Sequence, residues 1–158
     1  YITGHLLRII GDLKNKPRRA VFTVQKEVAE RVSAGPPRMN RLAASVQFWA
    51  NPEIILHIAK KEFSPPPEVD SAVVRLDLPA GKAGVTGDRL QVESKRYYRT
   101  VKILFQQPRK MIVNNLLAGT EKNRGEVMAL IEKLGIHPDA RPHGLSVADI
   151  EKIARIIF

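Results

Sequence analysis

The three consecutive prolines Pro65, Pro66 and Pro67 restrict the fold of this chain more than any other feature. Proline fixes the backbone angle φ and has no amide hydrogen to donate, so three in succession cannot pair within a β-sheet. The apolar run SAVVRLDL that follows (71–78) is typical of a buried strand. The pattern therefore predicts a stiff loop at the entrance to a strand, with Phe63 two residues before the prolines.

Phe63 is open to two interpretations. A rigid loop that presents an aromatic side chain at the C-terminal side of a sheet could stack on a flipped-out base, and stacking contributes about 1–3 kcal/mol per base. Alternatively, Phe63 belongs to the core and the prolines only end the preceding strand. The local pattern slightly favours the core interpretation.

Residues 1–78 alternate between helical and strand patterns, which predicts an α/β fold. The short run AVFTV (20–24) is apolar on both faces, as in the strands of a parallel sheet. Further strands are predicted over 53–59 and 71–78. The predicted helices are an N-terminal one, capped by Thr3 with an apolar stripe of Leu6, Leu7, Ile10 and Leu13, and two more over 25–35 and 40–50.

These elements amount to the C-terminal half of a sheet. Three short strands and about three helices give a thin core. We expect such a half-sheet to expose a strand edge and apolar helix faces, which favours self-association of the chain.

The glycine-rich residues 79–94 are predicted to form a linker, and residues 95–158 a small all-α domain. In its first helix the apolar face is predicted to include Tyr98. Pro108 is predicted in the first turn of the second helix, and Ser146 with Asp149 as a capping box of the last. The four predicted helices cover 95–107, 108–119, 125–135 and 146–157.

The chain carries a formal net charge of +10 and has a pI of about 10.2, which favours a polyanionic partner. No acidic residue falls between positions 95 and 110, where two tyrosines lie among the basic residues. Basic side chains with interleaved aromatics suit a phosphate backbone and unstacked bases. The alternative is a solvated helix face. The six basic residues are Lys95, Arg96, Arg99, Lys102, Arg109 and Lys110.

Several classes of protein are disfavoured by the composition. The chain has no cysteine, which rules out disulfides and thiolate metal sites, and its four histidines lack metal-ligand spacing. No apolar run approaches the length of a membrane span, and no secretory signal is visible. We therefore expect a cytoplasmic protein without a metal site.

Six stretches together resemble the ribosomal RNA adenine dimethyltransferase family, and most closely its small-subunit (16S-type) members. The stretches keep the family's order and are spread over nearly the whole chain. They are YIT at the start, VQKEVAERV (24–32), RLAASVQFWANPEI (41–54), FSPPPEVDSAVVRL (63–76), FQQPRKMIVNNL (105–116) and LGIHPDARPHGLSVADI (134–150).

The resemblance implies the C-terminal portion of an S-adenosylmethionine-dependent enzyme that dimethylates two adjacent adenosines. Residues 1–78 would be part of a Rossmann-like methyltransferase domain, with the donor-binding motifs upstream and the chain alone inactive. Tyr1 would be the last residue of the catalytic motif N-L-P-Y or the one just after it. The family pattern F-x-P-x-P-x-V-x-S is matched by Phe63, Pro65, Pro67, Val69 and Ser71, and it implies that Phe63 stacks on the target adenine.

The same resemblance implies that residues 95–158 contact small-subunit ribosomal RNA within a 30S-type subunit. Two motifs depart from the family: Pro108 replaces a basic residue of F-x-x-R-R-K, and RPHGLS (141–146) stands where R-A-E-x-L-S is common. A second hypothesis is a non-catalytic RNA-binding or ribosome-assembly factor on the same scaffold. The intact Phe63 loop favours the enzyme, because a pure binder has no need of it.

Overall fold

The computed structural model describes residues 2–13, 15–78 and 88–158. Its contacts group into two compact units, which are Tyr1–Ala34 with Val46–Ala83, and Gly35–Ser45 with Gly84–Phe158. Each unit is described by itself below. Among the described residues, no helix has both the length and the apolar character needed to cross a membrane.

The first unit is built on a three-stranded sheet. Its strands are β1 (Arg19–Gln25), β2 (Asn51–Ile58) and β3 (Ser71–Asp77), arranged in the order β1-β3-β2. Both pairs are antiparallel. Side chains alternate between the faces of a strand, so β3 places Ala72, Val74 and Leu76 together in the core.

The prediction of a parallel sheet from the run 20–24 is wrong for the pairings that the structure describes. β1 pairs with β3 antiparallel from Arg19 with Asp77 to Gln25 with Ser71. The side chains of β1 alternate between exposed and partly buried, and Val21 is 56% exposed. A short apolar run does not specify the direction of the neighbouring strand, because apolar residues on both faces occur at a sheet edge as well as in a buried parallel strand.

Charged side chains join the three strands at the end of the sheet opposite the proline loop. Arg19 Nε donates to Asp77 Oδ1 at 2.6 Å, and Arg75 Nε lies 2.8 Å from Asp77 Oδ2. Arg75 Nη2 also donates to Glu53 Oε2 at 2.6 Å. The hydrogen bond from Arg19 is the main reason that the pKa of Asp77 lies below its ordinary value of 3.8.

Two helices accompany these strands, α1 (Ile2–Asp12) and α2 (Lys26–Val32). A third helix, α3 (Arg41–Gln47), begins in the segment Gly35–Ser45, which groups with the second unit. The predicted cap at Thr3 is wrong, since α1 begins at Ile2. Only part of the predicted stripe is buried, because Leu7 and Ile10 face the core while Leu6 and Leu13 are exposed. With Ile9, these two leave an apolar face of α1 open to solvent.

The second unit is mainly helical. Its helices are α4 (Asp88–Leu104), α5 (Ile112–Gly119), α6 (Arg124–Lys133) and α7 (Val147–Ile157), and Pro142–Gly144 forms a 3₁₀ turn. Residues 88–94, predicted as linker, are helical. The rest of the predicted linker, residues 79–87, lies outside the described residues.

The core of the second unit contains Tyr97 where the sequence predicted Tyr98. Tyr97 is 1% exposed, and its hydroxyl donates to the Ala44 carbonyl at 2.8 Å. Burial raises the pKa of the Tyr97 hydroxyl. Tyr98 is partly buried and meets the Tyr97 ring edge-on at 5.8 Å. The predicted helix began at Lys95, whereas α4 begins at Asp88. With the start of the helix misplaced, the sequence gave no local signal to decide which of the two adjacent tyrosines is buried.

Some helix ends lie where the sequence predicts them, and others do not. The capping box of Ser146 and Asp149 is confirmed, and α6 is followed by Gly135 at φ +70°, a conformation that favours glycine. Pro108 is not in the first turn of α5, which begins four residues later at Ile112. The residues between α4 and α5 form a connection that is held by hydrogen bonds from the Asn115 side chain.

Candidate functional site

The proline loop, residues 59–70, lies where β1 and β2 both end. Ile58, the last residue of β2, and Gln25, the last of β1, both pair with Ser71, the first residue of β3. The loop is therefore the antiparallel connection between β2 and β3. It lies at the carboxyl ends of β1 and β2 and at the amino end of β3.

Asp70 joins both ends of this loop and the start of α2. Its Oδ1 accepts a hydrogen bond from the Lys60 amide at 2.9 Å, and its carbonyl accepts one from the Lys26 amide at 2.9 Å. The entry to the loop is a 3₁₀ turn, in which the Phe63 amide donates to the Lys60 carbonyl at 3.3 Å. These bonds fix the backbone on which Phe63 stands.

The side chains of the loop face solvent to different degrees. Pro65, Pro67 and Val69 are exposed, while Phe63 is partly buried and is not one of the buried apolar residues that form the core. Ser71 is partly buried as the first residue of β3. Tyr1 lies outside the described residues. An aromatic that is neither in the core nor fully exposed, on a fixed loop, has the surroundings that a base-stacking residue needs.

The predicted basic residues of α4 lie on its exposed side. Lys95, Arg96, Arg99 and Lys102 are exposed, whereas the opposite side of the helix, which includes Tyr97, is buried. The Arg99 guanidinium stands over the Phe158 ring at 4.2 Å, so this residue also packs against the C-terminus of the chain. The other three carry charge outward without such a contact to an aromatic ring among the described residues.

Arg109 and Lys110 lie on the connection between α4 and α5, and the side chain of Asn115 holds that connection. Asn115 is 4% exposed. Its Nδ2 donates to the Gln107 carbonyl at 3.1 Å and to the Met111 carbonyl at 3.4 Å. Because these bonds satisfy backbone groups of the connection, the two cations are presented by an ordered segment.

Sequence reasoning missed both positioning residues, Asp70 and Asn115. The one signal for Asn115 was a polar side chain within the apolar pattern of MIVNNLLAG (111–119). Asp70 gave no signal, since aspartate is common in turns. The cations Arg38 and Arg41 were missed as well, because their segment was assigned to the first unit.

A pocket of the first unit lies between α1, α2 and the sheet. Its wall includes Thr3, Leu7, Phe22 and Leu76, and Thr3 is its one polar residue. S-adenosylmethionine carries a charged amino-acid end and ribose hydroxyls, which need polar partners when buried. This pocket does not fit it. Within the described residues, no three His, Asp or Glu side chains gather where they could hold a metal ion.

Comparison with known proteins shows which family this chain is similar to. The family model of ribosomal RNA adenine dimethylase matches residues 1–158. Ribosomal RNA small subunit methyltransferase A of Dehalococcoides mccartyi is 34% identical over 149 residues, covering 94% of this chain and 50% of that protein. The protein of the same name from a Nostoc species is 34% identical over 163 residues, covering 99% and 57%.

Two solved structures share the fold. A dimethyladenosine transferase from Plasmodium falciparum superposes with a TM-score of 0.78 at 19% identity, covering 96% of this chain and 62% of that one. The 23S rRNA methyltransferase ErmE gives a TM-score of 0.72 at 21% identity, covering 99% and 61%. At these identities the likeness concerns the fold alone.

The fold is thus one that rRNA methyltransferases share. The chain belongs to the ribosomal RNA adenine dimethylase family, which confirms the resemblance found in its motifs. It spans about half the length of the curated relatives that it matches.

Proposed function

We propose that the whole protein is an S-adenosylmethionine-dependent rRNA adenine N6,N6-dimethyltransferase. Its substrate would be two adjacent adenosines of small-subunit ribosomal RNA, modified in the cytoplasm during maturation of a 30S-type subunit. The observation that carries the proposal is the Phe63 loop, which is fixed at the carboxyl ends of β1 and β2 in a chain of this family.

In this proposal the chain supplies the base-facing side of the active site. Phe63 stacks on the extruded adenine, and stacking on an aromatic ring contributes about 1–3 kcal/mol per base. The prolines and the bonds to Asp70 hold the ring in place before the base arrives, so little conformational freedom is lost on binding. The exposed prolines leave room for the base to approach.

The donor side of the reaction would be supplied by residues other than those described. The apolar pocket does not fit S-adenosylmethionine, so no step of methyl transfer is assigned to the described residues. The chain by itself is then inactive and acts as an RNA-binding unit. A non-catalytic ribosome-assembly factor is the second candidate, favoured by the apolar lining of this pocket.

The basic side of α4 and the connection with Arg109 and Lys110 would contact ribosomal RNA. Residues 95–158 carry twelve Lys and Arg against six Asp and Glu, a net charge of +6. Such contacts would be mainly to phosphates and would weaken with added salt. The isolated chain is also proposed to self-associate through the exposed apolar face of α1.

The substitution Phe63→Ala in the whole protein tests the proposal. It removes the ring but none of the backbone bonds, so we expect methyl transfer to small ribosomal subunits to fall by about 5- to 150-fold, as loss of about 1–3 kcal/mol of stacking implies. Binding to the subunits should stay nearly unchanged.

Two controls make the result specific. Val69→Ala removes another exposed apolar side chain of the same loop and should leave both properties unchanged. Phe63→Tyr keeps the ring and should retain most activity. If Phe63→Ala lowers methyl transfer and subunit binding equally, the residue is structural and the proposed role is wrong.

A further inference from the structure

The loop that carries Phe63 has opposite charges at its two ends. Its entry contains two cations and one acid, whereas its exit contains two acids and no cation. All five charged side chains are exposed. An anion that approaches the ring is therefore attracted by the entry of the loop and repelled by its exit. From entry to exit, the charged residues are Lys60, Lys61, Glu62, Glu68 and Asp70.

Lys60 has a fixed backbone position next to Phe63. Its amide donates to Asp70 Oδ1 at 2.9 Å, and its carbonyl accepts from the Phe63 amide at 3.3 Å. Both bonds belong to the 3₁₀ turn Lys60–Glu62, which directly precedes the aromatic residue. Since a 3₁₀ helix has three residues per turn, the cation and the ring project from neighbouring points of one fixed turn.

Both lysines are available to an external partner. In the part of the chain that the structure describes, no ion pair engages Lys60. Lys61 Nζ lies 3.9 Å from Glu62 Oε1, with the two side chains 81% and 61% exposed. Pairs as exposed as this one contribute about 0–1 kcal/mol, so Lys61 can exchange Glu62 for a phosphate at little cost.

The exit of the loop repels anions. Glu68 takes part in no ion pair among the described residues, and Asp70 Oδ1 accepts from the Lys60 amide, which leaves its charge in place. The helix α2 adjoins Asp70 but begins with Lys26 and Glu27, whose formal charges offset each other. The two acids therefore dominate the charge on this side of the ring.

This asymmetry bears on how RNA can approach the ring. An extruded nucleotide remains joined to its strand by a phosphate on each side. Stacking on an aromatic ring accepts any base, whereas contacts to phosphates fix the register and orientation of the protein. Two unit charges 4 Å apart in water interact by about 1 kcal/mol. The charges of the loop therefore favour a strand whose phosphates lie at the entry.

We propose that Lys60 and Lys61 bind phosphates beside the extruded adenosine, and that Glu68 keeps the strand away from the exit of the loop. The two lysines are positioning residues, because they hold the strand and thereby place the base that stacks on Phe63. The inference rests on the proposed function, which it deepens by giving the RNA strand one path across the loop.

The test measures kcat and KM for methyl transfer by the whole protein to small ribosomal subunits, over a series of salt concentrations. The first variant is Lys60→Gln with Lys61→Gln. Its matched control, Lys16→Gln with Arg18→Gln, makes the same change in charge at exposed residues before β1. The seven residues of β1 separate the control from the loop by more than about 20 Å. Circular dichroism checks that each variant is folded.

We expect the Lys60 and Lys61 variant to lower kcat/KM about tenfold, mainly through a higher KM, because phosphate contacts form before methyl transfer as well as during it. The slope of log kcat/KM against log salt should become shallower by about 1.4, since each contact to a single strand contributes about 0.7. The control should change kcat/KM less than about twofold, because charges beyond about 10 Å are screened at 0.1 M salt.

Two further variants test the role of charge. Lys60→Arg with Lys61→Arg keeps the charge that a phosphate contact needs and should retain most activity. Glu68→Gln removes the repulsion at the exit and should raise kcat/KM about two- to threefold at low salt, with the difference lost at high salt. Unchanged or slower transfer by Glu68→Gln contradicts the assigned path of the strand.

The other outcomes separate the inference from the proposed function. Equal losses in the Lys60 variant and its control, or a folded Arg variant as slow as the Gln variant, overturn the inference. If Phe63→Ala lowers methyl transfer and the Lys60 variant does not, the inference fails while the proposed function stands. If the wild-type protein transfers no methyl group to the subunits, the proposed function fails and the inference fails with it.

Discussion

At the scale of single residues, Asp70 is the side chain on which the geometry of the Phe63 loop depends most directly. Its carboxylate holds the amide at the entry of the loop, and its own backbone holds the start of α2. The prolines restrict the loop from within, but they donate no backbone bond that could anchor it. Asp70 is therefore a positioning residue for Phe63.

The substitution Asp70→Ala should loosen the loop without unfolding the chain. The hydrogen bond that it removes is exposed, so its effect on global stability is about 1 kcal/mol or less. Lys60 and Lys61 are exposed at the entry of the loop and are cleavage sites for trypsin. We expect cleavage there to become several-fold faster, as measured by mass spectrometry of timed digests, because local opening precedes proteolysis.

Asp70→Asn keeps an oxygen that can accept from the Lys60 amide, so its rate of cleavage should stay near that of the wild type. Glu68→Ala removes an exposed acid from the same loop and serves as the matched control. Equal rates for Asp70→Ala and Glu68→Ala would show that the carboxylate of Asp70 does not hold the loop.

At the scale of elements, α1 combines a packed side with an apolar side that the described residues leave open. Leu6, Ile9 and Leu13 are 39%, 46% and 41% exposed. β1, on the same unit, is an edge strand in the described sheet. Contiguous apolar surface next to an edge strand is a common site of association.

The triple substitution of Leu6, Ile9 and Leu13 by Gln should reduce self-association of the isolated chain. We expect the wild-type chain to show a mass that rises with concentration in analytical ultracentrifugation, and the variant to stay monomeric. Val92→Gln, at an equally exposed apolar residue of α4, should behave as the wild type. A wild-type chain that is monomeric at every concentration tested would contradict the proposed role of this face.

The elements that sequence predicted well are those whose signals are local. The strand after the prolines and the last helix, with its capping box at Ser146, depend on alternation, periodicity and turn chemistry within a few residues. The start of α5 was misplaced at Pro108 because the connection before it is stabilised by Asn115, whose bonds to nearby carbonyls compete with a helical turn.

At the scale of the whole molecule, the errors arise from contacts between residues distant in sequence. Met39 and His143 are joined by a backbone bond that no local pattern indicates. The sequence therefore assigned Gly35–Ser45 to the first half of the chain, whereas its contacts group it with the second unit. The direction of β1 depends on β3, some fifty residues later in the chain. The proline loop lies directly before a strand, as predicted, because prolines and a following apolar run are local signals.

We propose that this chain holds the RNA-facing side of a methyltransferase and not its donor side. Isothermal titration calorimetry of the 158-residue chain with S-adenosylmethionine tests it directly, with stem–loop RNA as the positive control. We predict binding of the RNA and no measurable binding of the donor, because the pocket of the first unit offers one polar side chain. Binding of S-adenosylmethionine at micromolar concentration would contradict the claim.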